Sequence, residues 1–165
     1  MHGVTGAIGK ILGKNFPDTV TVQIATIYGH DIHKDCEMWI KEGREPFHEG
    51  SIWLVNYLKD FKEQNKVVAY EAELLVSDFE GTASSIDIVA HFADGSAVLF
   101  DIKTTATFNR EYCSLQLSVY KKLYEDIYGG NVTAMYVLGT KSKRAFRILP
   151  QTEAKVAKIL AMNKA

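Results

Sequence analysis

Two acidic residues and a lysine occupy segments that otherwise look built for a hydrophobic core. In residues 84–105, SSIDIVAHFADGSAVLFDIKTT, the charged side chains outside the central turn are Asp87, Asp101 and Lys103. Burying such charges is costly unless they are paired with one another or bound to a metal ion. These three residues are therefore the first candidates for a site that does chemistry.

The pattern predicts two strands, and alternation along a strand puts Asp101 and Lys103 on the same face. A three-residue connection, 93–95 or 94–96, places Asp87 opposite Asp101 or Lys103 on that face. A two-residue turn would instead split the polar set across both faces. With the odd connection, the two carboxylates lie roughly 5 to 8 Å apart at Cβ, close enough to share one cation.

Two neighbouring carboxylates repel, so one of them takes up a proton or both bind a metal ion. Oxygen ligands suit Mg²⁺ or Mn²⁺. A lysine on the same face can hold a scissile phosphate, or orient and deprotonate a water molecule on the metal. On spacing alone, an ordinary Asp–Lys pair on a solvated strand face explains the residues equally well.

The order Asp87, hairpin, Asp101-Ile102-Lys103-Thr104 resembles the signature of the PD-(D/E)XK nuclease superfamily, and DIKTT resembles its RecB-like branch. That branch carries three further marks. The G-x-x-x-H of an early helix is matched by Gly29 and His33. The glutamate before the hairpin is matched by Glu71 or Glu73, of which the Ala-Tyr-Glu-Ala context favours Glu71. The Q-x-x-x-Y of the following helix is matched by Gln116 and Tyr120.

The resemblance is to small stand-alone exonucleases, including phage-encoded members and the mitochondrial genome maintenance exonuclease. It implies a deoxyribonuclease that uses Mg²⁺ or Mn²⁺ and hydrolyses phosphodiester bonds at DNA ends, often in single strands. The implied metal ligands are His33, Asp87, Asp101 and the carbonyl of Ile102. Implied further roles are positioning of the attacking water by Lys103, binding of a second metal or its waters by Glu71, and contacts over the site by Gln116 and Tyr120. The alternative is a catalytically silent nuclease fold that binds DNA or protein.

Candidate DNA contacts flank these motifs. Thr104 follows the lysine and offers a hydroxyl donor to a phosphate. Basic residues that would add phosphate contacts are Lys121, Lys122, Lys143 and Arg144. Runs of this kind more often form a solvated face.

The bulk composition is that of an ordinary globular protein. A length of 165 residues predicts one domain spanning 1–165, and a net charge of -1 gives no overall attraction to nucleic acid. The two cysteines lack C-x-x-C spacing, which argues against an iron–sulfur cluster. No signal peptide or membrane-spanning run is evident, so we expect a cytoplasmic protein of a bacterium or phage-infected cell. Its expected partners are DNA and the proteins of recombination, repair or replication, with no membrane.

Periodicity and turn residues predict an α/β chain of alternating helices and strands. The resemblance implies that they form a restriction-endonuclease-like core, in which a central mixed β-sheet is flanked by helices in the order α-β-β-β-α-β. Residues 1–22 are left without a predicted element. The predicted helices span residues 23–41, 51–64 with Ser51 as the N-cap, 110–128 and 152–162. The predicted strands span residues 67–77, 85–92, 97–104, 132–140 and 144–149.

Overall fold

A computed structural model of the chain describes residues 3–12 and 20–164, with side chains described at 3–12 and from residue 27 onward. The helices are α1 (Val4–Leu12), α2 (Val20–Glu42), α3 (Glu49–Asn65), α4 (Arg110–Tyr128) and α5 (Glu153–Asn163). The strands are β1 (Ala69–Ser77), β2 (Ala83–His91), β3 (Ala97–Lys103), β4 (Val132–Gly139) and β5 (Arg144–Ile148).

The five strands form one mixed sheet in the order β1-β2-β3-β4-β5. The β1–β2, β2–β3 and β4–β5 pairs are antiparallel, while β3 and β4 are parallel and are connected through α4. A parallel pair needs such a crossover because its strands run in the same direction. The predicted mixed sheet and its α-β-β-β-α-β order are confirmed.

The β2–β3 connection has an odd number of residues. The N–H of Phe92 donates to the carbonyl of Ser96 at 3.1 Å, which leaves residues 93–95 as the loop. Gly95 has a φ of +86°, a conformation that glycine adopts without strain. Because Ile88 pairs with Phe100, the same register brings Asp87 level with Asp101, as the three-residue connection predicts.

Two apolar clusters cover the two faces of the sheet. On β3, the side chains of Leu99 and Ala97 pack with α1, α4 and α5, and those of Val98, Phe100 and Ile102 pack with α2 and α3. The odd-numbered positions of β3 therefore face α4. This alternation confirms that Asp101 and Lys103 share a strand face opposite Ile102.

Two local predictions are corrected. Helix α1 lies within the segment 1–22 for which the sequence predicts no element; residues 1–2 and 13–19 of that segment lie outside the described part of the chain. Helix α3 begins at Glu49 rather than after Ser51, which is buried within it. Its N-cap, His48, makes no side-chain cap; instead the buried Asp35 carboxylate of α2 accepts the N–H groups of Phe47 at 2.6 Å and His48 at 3.0 Å.

Candidate active site

The candidate site lies where β2 separates from β3. Their ladder runs from His91–Ala97 to Ile88–Phe100 and then stops, although both strands continue. On β1, directly across from Asp87, Glu73 has a φ of +52° and is missing from the β1–β2 pairing. A positive φ in a residue that is not glycine marks a local distortion of the strand. The distortion and the separation open the sheet beside Asp87.

The Asp87 carboxylate occupies this opening and bridges three elements. Its Oδ2 atom accepts the N–H of Ile102 at 2.7 Å and lies 3.2 Å from Nε2 of His33. The carbonyl of Lys103, the residue after Ile102, accepts the N–H of Thr140, just after the end of β4, at 2.9 Å. Because successive carbonyls along a strand point to opposite sides, the Ile102 carbonyl is directed toward the opening.

His33 reaches the site because helix α2 comes very close to the end of β3. A Cβ atom built on Gly29 would lie 2.8 Å from Oγ1 of Thr104, so any larger residue would force Thr104 or the helix to shift. The Gly29 carbonyl lies 2.7 Å from Nδ1 of His33, one helical turn later. The Nδ1–H group donates to that carbonyl and turns Nε2 toward Asp87. The G-x-x-x-H spacing thus has a geometric reason.

Asp101 and Lys103 form a buried ion pair on the adjacent strand. Nζ of Lys103 lies 2.8 Å from Oδ2 of Asp101, which is only 4% exposed. This oxygen has no hydrogen-bonding partner of good geometry among the described residues. Nζ also donates to Oε1 of Gln116 at 3.4 Å.

Helix α4 supports the lysine through a chain of polar groups. Nε2 of the buried Gln116 donates to the hydroxyl of Tyr120 at 3.0 Å, and Oγ of Ser84 donates to the same hydroxyl at 3.2 Å. Burial raises the pKa of Tyr120 to about 12, so its hydroxyl stays protonated. The Q-x-x-x-Y pair therefore links Lys103 to β2, and Ser84, to which the sequence assigned no role, completes the chain.

The choice of Glu71 over Glu73 is corrected by the structure. The Glu71 carboxylate is half exposed and lies 2.8 Å from Nε2 of His91, away from the opening. Glu73 accepts a hydrogen bond from Ser85 at 2.9 Å. Burial and the neighbouring Asp87 carboxylate raise the pKa of Glu73. The strand distortion at Glu73 explains the difference, because simple alternation would send both glutamates to one face.

The predicted DNA contacts divide into two groups. Thr104 lies against Gly29 at the end of β3. Lys143 lies in the β4–β5 turn, and Arg144 begins β5, level with Gly139 at the end of β4. Lys121 and Lys122 are not brought to the site. They pair with Glu125 and Asp126 on α4 and line a groove between α4 and α5.

The charges of four side chains at the centre of the site balance one another: those of His33, Asp87, Asp101 and Lys103. Burial alone would lower the pKa of His33, but the adjacent Asp87 carboxylate raises it to about 9. Burial, together with the Asp87 charge, raises the pKa of Asp101 to about 6 despite the opposing effect of Lys103. Burial also opposes the charged forms of Asp87 and Lys103, yet their partners lower the pKa of Asp87 and raise that of Lys103. At neutral pH the site thus holds two cations and two anions.

Comparisons with known proteins match the fold only distantly. No protein-family model and no curated protein matches the chain. Among solved structures, the chain is similar to a "Putative exonuclease" from Eubacterium rectale, at 12% identity and a TM-score of 0.46 over 97% of this chain and 76% of that one. It is also similar to the protein SSO0001, at 13% identity and a TM-score of 0.45 over 97% and 82% of the two chains. Similarity at this level does not identify the activity of the chain.

One finding limits which metal site the opening can form. Among the described residues, no three His, Cys, Asp or Glu side chains are arranged as a preformed metal site. Any metal site at the opening therefore needs a backbone oxygen, a rearrangement of the ion pairs, or water and substrate ligands.

In the described part of the chain, no helix is long and apolar enough to cross a membrane.

Proposed function

We propose that this chain is a metal-dependent deoxyribonuclease of the RecB-like PD-(D/E)XK type that hydrolyses phosphodiester bonds at DNA ends. The convergence of Asp87, Asp101 and Lys103 at one opening in the sheet is the observation that carries the proposal. An ordinary surface pair of aspartate and lysine would not be buried, and it would not be connected to a histidine, a glutamine and a tyrosine from two helices.

The chemistry of the donors suits Mg²⁺ or Mn²⁺, although their side chains would have to rearrange from the ion pairs seen here to bind the ion together. Oδ2 of Asp101 is buried and contacts Nζ of Lys103, the Asp87 carboxylate is beside it, and the Ile102 carbonyl points toward the same opening. Hard oxygen ligands of this kind suit both ions. His33 would add Nε2, with its tautomer fixed by the Gly29 carbonyl. When bound, the ion would supply charge neutralisation and a more acidic water molecule.

The side chains of the protein would divide the remaining work. Lys103 is protonated at neutral pH because its pKa is raised, so it donates hydrogen bonds and charge to a phosphate oxygen rather than accepting a proton. Gln116 holds the lysine in place from α4. Thr104 offers a hydroxyl to the adjacent phosphate. Water adds to phosphorus and the P–O bond to the leaving sugar oxygen breaks. The attacking water gives up a proton to solvent, and the leaving sugar oxygen takes up a proton from solvent to become a hydroxyl.

Cleavage of end-labelled DNA tests the proposal directly. Single- and double-stranded substrates labelled at either end are incubated with Mg²⁺ or Mn²⁺, and with EDTA as the metal-free control. We expect cleavage by the wild-type chain and none by Lys103→Ala or Asp101→Ala. Matched controls are Lys158→Ala on α5 and Asp94→Ala in the β2–β3 loop, both at exposed positions.

Full activity of Lys103→Ala or Asp101→Ala would refute the assignment. DNA binding without cleavage by the wild-type chain under every metal condition would instead favour the catalytically silent binding module. The label that is released first reports polarity, and the two substrates report strand preference.

A further inference from the structure

A second polar surface lies on the same face of the sheet as Asp101 and Lys103. Strand register places Lys103 level with Gly139 on β4 and Arg144 on β5. Residues that are level across a sheet point to the same side, so Arg144 lies on the Lys103 face, two strand spacings or about 10 Å away. Gly139 between them contributes no side chain. The space that a Cβ on Gly139 would enter is occupied by Oγ of Ser142 and the ring edge of Phe146, so a hydroxyl and an aromatic ring lie between the lysine and the arginine.

Two guanidinium groups stack on one aromatic ring at this place. The guanidinium carbon of Arg144 lies 5.4 Å from the ring centre of Phe146, and that of Arg110, in the first turn of α4, lies 5.8 Å from it. Phe108 packs edge-on against Phe146 at 5.0 Å. Stacking of this kind fixes the planes of the arginines and leaves their N–H groups available. We refer to Arg110, Arg144 and Phe146 as the arginine cluster.

The charges of the arginine cluster are not neutralised by acidic residues. In the described part of the chain, no carboxylate forms an ion pair with Arg110 or Arg144. The polar contact of Arg110 is with the carbonyl of Arg147, at 3.3 Å. By contrast, Lys121, Lys122 and Lys143 each have an acidic partner.

The position of Arg110 also works against helix stability. A cation in the first turn of a helix opposes the helix dipole. For an anion the same arrangement is favourable, because the arginine and the helix N-terminus attract it together. Glu111 in the same turn offsets part of this charge, but in the described part of the chain it forms no ion pair with Arg110 or Arg144, so the guanidinium groups remain open to a phosphate.

We propose that the arginine cluster binds the sugar–phosphate backbone of one DNA strand that extends from the scissile phosphate at Lys103 across β4 to β5. This inference rests on the proposed function, since it takes the position of the scissile phosphate from it. The cluster supplies fixed, unneutralised cations at a set distance from the lysine. Lys121 and Lys122 do not lie along this proposed path of the DNA strand.

Salt-dependent binding tests the inference independently of cleavage. The affinity for a fluorescein-labelled oligothymidylate is measured by anisotropy in EDTA over a range of salt concentrations. For single strands, log K falls with log[salt] by about 0.7 per phosphate contact, so the double variant Arg110→Ala/Arg144→Ala should lose about 1.4 from the slope. At about 0.1 M salt this corresponds to roughly 25-fold weaker binding.

Three control variants accompany this change. Lys121→Ala/Lys122→Ala removes the same net charge from ion-paired positions and should leave the slope unchanged. Arg147→Ala removes an exposed arginine of the same strand that is level with Tyr136 and therefore on the opposite face, and it should also leave the slope unchanged. Arg110→Lys/Arg144→Lys keeps both charges and should keep the slope.

An unchanged slope in the alanine double variant would overturn the inference, as would an equal loss in either control or in the lysine variant. Polyglutamate could also displace the labelled DNA as strongly as unlabelled DNA does, through binding that requires both arginines. That result would overturn the inference in favour of an acidic protein partner. If the wild-type chain cleaves DNA but the slope does not change, this inference alone fails. If the slope changes but no cleavage occurs under any metal condition, the proposed function alone fails.

Discussion

Replacing His33 with asparagine should remove most of the pH dependence of Mg²⁺ binding between pH 6.5 and 9. The histidine is protonated without metal because the Asp87 carboxylate, 3.2 Å away, raises its pKa to about 9. A metal ion can use Nε2 only after that proton has left. Binding of Mg²⁺ therefore competes with a proton throughout this range.

The pKa sets the size of the effect. At pH 7 about 1% of His33 is neutral, so the apparent affinity for Mg²⁺ should be about 100-fold below its limiting value. It should rise tenfold per pH unit until it levels off near pH 9. Below pH 6 the slope should steepen, because Asp101, with a pKa of about 6, then also carries a proton.

The same pair predicts a change in the stability of the metal-free protein. Protonated His33 stabilises the folded protein. This contribution to the free energy of unfolding is fully present below pH 6.5 and is lost as pH rises through about 9. The difference of about 2.5 pKa units corresponds to about 3 kcal/mol in the free energy of unfolding. Denaturant unfolding should show this loss in the wild-type chain and not in His33→Asn.

Calorimetric titration with Mg²⁺ in two buffers of different ionisation enthalpy measures both affinity and proton release. We expect about one proton released per ion at pH 7.5 for the wild-type chain and close to none for His33→Asn. The control is His48→Asn, a histidine paired with Asp35 at 3.4 Å. A pH-independent wild-type affinity, or an unchanged slope in His33→Asn, would refute the role of His33 as a ligand that must lose its proton.

Three further changes test the geometry. Glu73→Gln should reduce metal affinity and activity, whereas Glu71→Gln, at the half-exposed partner of His91, should leave both near wild-type in the same assays. Gly29→Ala should lower activity and the melting temperature, because its Cβ would lie 2.8 Å from Oγ1 of Thr104; unaltered kinetics would contradict the close approach. Asp35→Ala should destabilise the protein by about 3 kcal/mol in denaturant unfolding, because a buried carboxylate that accepts two N–H groups is lost. A loss below about 1 kcal/mol would argue against this account.

The sequence predicts most of the fold because strand alternation, loop length and helix caps depend on residues that are close together in the chain. Alternation on β3 separates Asp101 and Lys103 from Phe100 and Ile102, and the length of the β2–β3 loop determines the face of Asp87. Helix α4 ends at Gly129, whose positive φ of 74° is typical of a glycine cap.

The errors arise where tertiary contacts override the local rule. The cap of α3 comes from Asp35, twelve residues before Phe47, and nothing near Ser51 signals it. The distortion at Glu73 breaks the alternation that makes the two glutamates equivalent in the sequence. The role of Ser84 depends on a tyrosine 36 residues away, a pairing that appears only in the folded chain.

The early end of the β2–β3 ladder divides the candidate site between two parts of the sheet. Glu73 and Asp87 belong to the β1–β2 hairpin, Asp101 and Lys103 belong to the β3–β4 pair, and the hydrogen bond from the N–H of Ile102 to Asp87 joins the two parts. A divalent ion or a phosphate held by both sides would act as a cross-link across this seam. Amide hydrogen exchange along residues 83–87 should therefore slow when the seam is bridged, which would report occupancy of the site without following any chemistry.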